Sequence, residues 1–150
     1  MPVDAVVADF ISGSVETLSP ARDDGGWDLI EGQGSLFHPG FAGVSLGLLH
    51  GAQPDALVLR HQPGRAHVRH VPGRALPDLR ACLDRNLEAA WLTNSGAQAV
   101  GVSLNPSSLP PDEARRTLTE VEDLLGLPTQ DPMVDGVGRI VDRLLGRFSR

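Results

Sequence analysis

Glu31-Gly32-Gln33-Gly34-Ser35 is the stretch whose residue types and spacing bear most directly on chemistry. An acid followed by two glycines lets backbone N–H groups come close to an anionic ligand. The acid itself can act as a general base or hold Mg²⁺. The competing reading is a tight turn carrying a solvated glutamate, because short glycine motifs are common. His38 follows three residues later and can donate a hydrogen bond to a carbonyl or shuttle a proton near neutral pH. It can equally serve only as a hydrogen-bonding residue at a helix start. His50 reads as a helix C-terminal histidine that complements the dipole. Asp9, His61, Arg65 and Asn105 are further polar residues for binding: Asp9 for an amine or as a turn cap, and Arg60, His61 and Arg65 for a carboxylate or phosphate.

These side chains need a scaffold. Residues 3–8, 27–31, 55–59 and 99–104 are short apolar runs that read as strands, with a possible edge strand at 127–131. Between them lie a loop or short helix at 9–16 and helices at 39–49, 77–93, 111–125 and 137–145. The clearest is 77–93, where Leu79, Leu83, Leu87 and Ala90 fall on one face. Gly51 is the expected left-handed stop of the helix at 39–49. Gly40, Gly43 and Gly47 suggest close backbone packing there and each weaken the helix by about 1 kcal/mol. The alternation predicts an α/β fold with a mostly parallel sheet of about four to five strands and helices on both faces. Ligands bind beyond the carboxyl ends of such strands. Asp9, Glu31, Arg60-His61 and Asn105 are expected to converge there.

Composition narrows the chemistry. The 150 residues are expected to form one domain, and the formal charge of −6 argues against general affinity for nucleic acid or anionic membranes. Arg60, Arg65, Arg69 and Arg74, with His61, His67 and His70, nevertheless leave room for a local basic pocket. Every basic residue is arginine. With no lysine, a Schiff base and a phosphate-loop lysine are both impossible within this sequence. Cys82 is the only cysteine, so no internal disulfide or cysteine-based zinc site forms. No metal site is expected. No apolar run approaches a membrane span and no secretory signal is legible, so a cytoplasmic location is expected.

Asp9-Phe10 with Gly13 and Glu16, the block from Ile30 through Leu36 with His38-Pro39, the run from Gly43 to Gly51, Pro54 to Leu59, Gly101 to Asn105, and the closing Gly136 to Val141 together resemble a known family. It is the carboxy-terminal domain of a bacterial family, long of unknown function, that includes D-glutamate N-acetyltransferases. The resemblance implies a P-loop NTPase-like layout similar to dethiobiotin-synthetase-type domains. It also implies acetyl transfer from acetyl-CoA, as co-substrate, to the amino group of a small acidic amino acid. Glu31 is then the candidate base and His38 the candidate donor. Gly32, Gln33, Gly34 and Ser35 lie near the cofactor or amine, with Arg65 on a substrate carboxylate. Family members carry an amino-terminal domain and a lysine-bearing phosphate loop ahead of this region. The chain is therefore expected to be a partial, amino-terminally truncated domain. It would be inactive without a separate amino-terminal half, or a homo-oligomer, to complete it. The alternatives are a non-catalytic remnant and an ATP-dependent dethiobiotin-synthetase-like domain; the missing lysine disfavours Mg-nucleotide.

Overall fold

The computed structural model describes residues 10–32 and 34–148. They fall into two compact units. One comprises the described residues up to Pro54 with Glu88–Ala97, the other Asp55–Leu87 with the described residues from Gln98 onward.

The second unit contains the sheet. Strands β1 (Ala56–His61), β2 (Gln98–Leu104) and β3 (Thr129–Gln130) pair in the order β1-β2-β3, both pairs parallel. Helix α3 (Leu79–Trp91) connects β1 to β2, and α4 (Pro111–Leu125) connects β2 to β3. Because parallel crossovers are right-handed, two successive crossovers in the same direction put both helices on one face. The core follows from that arrangement. Val102 and Leu104 of β2, both fully buried, meet Leu83 of α3, Val121 and Leu125 of α4, and Leu127. The alternating pleat turns Gly101 to the opposite face, where it lies against Ile140 of α5 (Gly138–Phe148). A Cβ at position 101 would sit 2.7 Å from Ile140 Cγ1, so only glycine admits the helix at this distance. Fold class therefore agrees with the sequence: α/β, parallel, helices on both faces, with three strands among the described residues.

Local signals explain the helix ends. α4 starts with Pro111 at its first position and Asp112 and Glu113 in its first turn, and stops at Gly126 in the left-handed conformation. At α5, the buried Gln130 accepts through Oε1 from the Ile140 N–H (3.1 Å) and supplies one of the partners the first turn lacks.

The first unit contains helices α1 (Phe10–Leu18) and α2 (Ala42–Ala52), neither with a buried residue. They meet through glycine. A Cβ on Gly47 would lie 2.7 Å from Ile11 Cγ2, and one on Gly51 would lie 2.4 Å from the Ser12 carbonyl oxygen. Ser12 Oγ donates to Gly47 O (3.1 Å) across the same contact. α2 therefore runs three residues beyond its expected end. Gly51 is used for close approach, and Gln53 takes the left-handed cap at φ 44° instead.

The expected strand at 27–31 does not form. Residues 27–32 have no regular structure, and Leu29 is 91% exposed. A strand needs a ladder partner, and none pairs with this segment among the described residues. The expected strand at 3–8 lies outside the described residues, as do Asp9 and Gln33.

Candidate functional site

Two regions present the sequence-predicted site residues, one in each unit.

In the first unit, Glu31 and Gly32 are exposed on the irregular segment before the glycine turn. Nothing lies within 4 Å of a Cβ built on Gly32, whereas Gly34 is required twice over. Its φ is +66°, and a Cβ there would come within 2.7 Å of Phe41 Cβ. Ser35 then closes the turn: its Oγ accepts from Phe37 N–H (3.1 Å) and its carbonyl from His38 N–H (3.0 Å).

His38 is fixed by the turn that follows. Its carbonyl accepts from the N–H groups of Phe41 (3.1 Å) and Ala42 (2.9 Å), where α2 begins. Its Nδ1 accepts from Gly40 N–H at 3.0 Å. A nitrogen that accepts carries no proton, so the neutral ring holds its hydrogen on Nε2, by inference from the network. The ring also packs against Phe41, with centroids 4.4 Å apart and a tilt of 31°. Phe41 thus touches both Gly34 and His38. Sequence reasoning passed over it, though an aromatic at a helix start beside a glycine turn was a usable signal. His50, in the last turn of α2, is within hydrogen-bond distance of Ala89 O through Nε2 (3.0 Å), so it makes a tertiary contact as well as facing the helix dipole.

In the second unit, the carboxyl ends of β1 and β2 lie side by side. His61 closes β1 and Asn105 follows β2, and Asn105 N–H donates to His61 O (2.9 Å). The Asn105 side chain accepts from Ser107 N–H (3.3 Å), and Ser108 Oγ donates to Pro63 O (3.3 Å), fastening one turn to the other. Burial, and then the nearby Arg65 charge, hold the His61 imidazole below its ordinary value. His61 is therefore predominantly neutral at pH 7. Arg65 donates to the Gln62 side-chain oxygen. Of the four polar strand ends expected to converge, the structure joins His61 and Asn105. Glu31 belongs to the other unit and does not close a strand, and Asp9 lies outside the described residues.

An open cleft of about 820 Å³ beside β3, unforeseen from sequence, is lined by Glu122 and Asp123 of α4, Gln130, and Arg139 and Asp142 of α5. Two of its charged groups satisfy each other. Glu122 pairs with Arg139 in a two-pronged bridge and also accepts from Thr129 N–H (3.3 Å). The edge of the sheet is covered by that carboxylate. Among the described residues there is no cluster of three or more His, Cys, Asp or Glu suited to a metal, and no helix is long and apolar enough to cross a membrane.

Comparison with known proteins places this geometry in a family. Residues 1–141 match the family described as Domain of unknown function (DUF1611_C) P-loop domain. A D-glutamate N-acetyltransferase of Tritonibacter scottomollicae is 49% identical over 144 residues, covering 96% of this chain and 43% of that protein. Another protein of that name, from a Pseudoalteromonas species, is 48% identical over 142 residues, covering 95% and 43%. The crystal structure of a DUF1611 family protein from Anabaena variabilis superposes with a TM-score of 0.81 at 32% identity, covering 95% of this chain and 42% of that one. The chain thus spans less than half the length of the relatives it matches.

Proposed function

From the premise that this chain belongs to the DUF1611_C P-loop domain family, we propose that it takes part in transferring an acetyl group from acetyl-CoA to the amino group of an acidic amino acid, D-glutamate. The observation that carries this reading is the 49% identity, over nearly the whole chain, to a protein bearing that activity in its name. The first unit offers matching chemistry.

Glu31, exposed beside the glycine turn, takes a proton from the substrate ammonium so that its nitrogen can attack the thioester carbon. The C–N bond forms as the C–S bond breaks, and the second proton shed by the nitrogen passes to the departing sulfur, so coenzyme A leaves as the thiol. His38 contributes an Nε2–H set by the Gly40 contact, suited to polarising the thioester oxygen. Gly34 and Ser35 shape the turn between them. The lysine of the phosphate loop is absent from this sequence. On this reading it lies outside these 150 residues, and a homo-oligomer of them cannot provide it.

The test is formation of N-acetyl-D-glutamate, followed by mass spectrometry, with these 150 residues alone and together with a lysine-loop partner region, supplied in the same polypeptide or separately. Product is expected only with the partner region. In that active assembly Glu31→Gln is expected to lower kcat about 10²- to 10⁴-fold. Full activity of the variant removes Glu31 from the reaction, and no product with any such partner removes the acetyltransferase reading.

A further inference from the structure

The acetyltransferase reading leaves one strongly charged feature unused. Between Asp55 and Asp78 the chain contains four arginines and three histidines and no acidic residue, in a protein with 19 acids against 13 arginines. Arg60 and His61 close β1 and the other five follow its carboxyl end, the end of a parallel sheet at which ligands bind.

Its conformation is built around one buried side chain. Val68 is 6% exposed, while Arg65, His67, Arg69, His70 and Arg74 are all exposed around it. Three backbone hydrogen bonds close the loop: Val68 N–H to Arg74 O (2.8 Å), Val71 N–H to Val68 O (3.0 Å) and Arg74 N–H to Val71 O (3.2 Å). His70 adopts a left-handed φ of 62°, uncommon for a residue with a side chain. Arg65, Ala66, His67, Arg69 and His70 line a shallow hollow. At its base the preceding turn is fastened by Ser108 Oγ to Pro63 O, and Arg65 is braced on the neutral Gln62 amide, which leaves its charge in place.

We propose that this loop is a receptor for the phosphate groups of a nucleotide-bearing coenzyme, and that its ligand is coenzyme A. The identity of the ligand rests on the acetyltransferase reading; the phosphate chemistry does not. A guanidinium matches a phosphate with two parallel N–H···O bonds, and exposed histidines add donors when protonated. Concentrating these groups in an otherwise acidic chain draws a polyanion to one place. Arg65, read from sequence for a carboxylate or phosphate and placed by the resemblance on a substrate carboxylate, belongs to this set. The loop thus supplies anion contacts that a chain without lysine cannot supply through a phosphate-loop lysine.

The experiment is calorimetric titration of this chain with coenzyme A, pantetheine and inorganic pyrophosphate. Coenzyme A is expected to bind, at least tenfold tighter than phosphate-free pantetheine and tighter than pyrophosphate, with affinity falling as salt rises. The exposed double variant R65Q/R69Q is expected to weaken coenzyme A at least tenfold while its circular dichroism stays unchanged. Amide shifts on binding are expected at residues 65–74. Equal binding of pantetheine, unchanged binding by a folded double variant, or amide shifts confined elsewhere overturns the receptor. Pyrophosphate binding as tight as coenzyme A overturns the coenzyme assignment. Failure here is separable from failure of the catalytic reading. Coenzyme A binding through this loop with no transfer by any assembly defeats the latter alone. Transfer with an unchanged KM for acetyl-CoA in R65Q/R69Q defeats the former alone.

Discussion

The glycine turn with its two helices and the three-stranded sheet hold their polar residues by opposite means. In the sheet unit, His61 and Asn105 are placed by a ladder whose strand β2 has its central residues Val100 to Val102, and Leu104, buried. In the other unit, α1 and α2 bury no residue completely and are joined by backbone approach at Gly47 and Gly51. One arrangement is maintained by apolar area removed from water, the other by the absence of two methyl groups. The lesson is that a site residue can be fixed without a core beneath it, provided short contacts specify its surroundings. His38 is the case in point: the Gly40 N–H on Nδ1 and the Phe41 ring both contribute to its orientation.

Breaking the sheet side should have the largest effect. Leu104 is fully buried, and Leu104→Ala is expected to cost about 2–5 kcal/mol, read as a lowered denaturation midpoint and lost amide protection in β1 and β2. Breaking the glycine side should cost less. Gly51→Ala gains about 1 kcal/mol of helix propensity but places a methyl against the backbone of Ser12. Overpacking of this kind costs about 1–3 kcal/mol, so a net loss is expected, seen as faster exchange in α1 and α2. If Gly51→Ala stabilises the protein, the close approach is not what joins these helices.

Smaller effects test the polar contacts. Arg139 holds the Glu122 carboxyl below its ordinary value of 4.5. A carboxylate with a depressed folded value contributes stability above the unfolded value and loses it as the pH falls through the folded one. Glu122→Gln should therefore cost about 0.2–1 kcal/mol at pH 7 and little in strong acid, with unfolding midpoints compared at both pH values. His61 sits below its ordinary 6.5, mainly through burial. Its contribution is present above pH 6.5 and is lost as the pH falls from there through its folded value. The smallest expected effect is that His61→Gln flattens this part of the stability–pH curve, and an unchanged slope would show that His61 titrates as it does when unfolded.

Much of the sheet unit was legible before any coordinates. The apolar runs at β1 and β2, the single leucine face of α3 and the Pro-to-Gly span of α4 each carry their own local signal, and each element lies within a few residues of its expected place. The glycine unit was harder to read. Trp27 to Glu31 looks like a strand because its side chains suit one, but strand formation is a property of a pair. Gly51 looked like a cap because capping is what a glycine after a helix most often does. Phe41 stands at a helix start close to a glycine turn, but nothing in its own neighbourhood names Gly34 as the residue it touches.

By itself the sequence determined which chemistry is available: arginine but no lysine, one cysteine, and an acid beside a glycine turn. It also determined the parallel α/β class, because hydrophobic period and end signals are local and additive along the chain. Only the tertiary structure decided that Gly34 must admit Phe41, that His38 Nδ1 accepts from Gly40 N–H, and that Gly51 serves packing rather than capping. These outcomes depend on which atoms come within 3–4 Å across long sequence separations or tight turns, and no residue's identity alone encodes its neighbours.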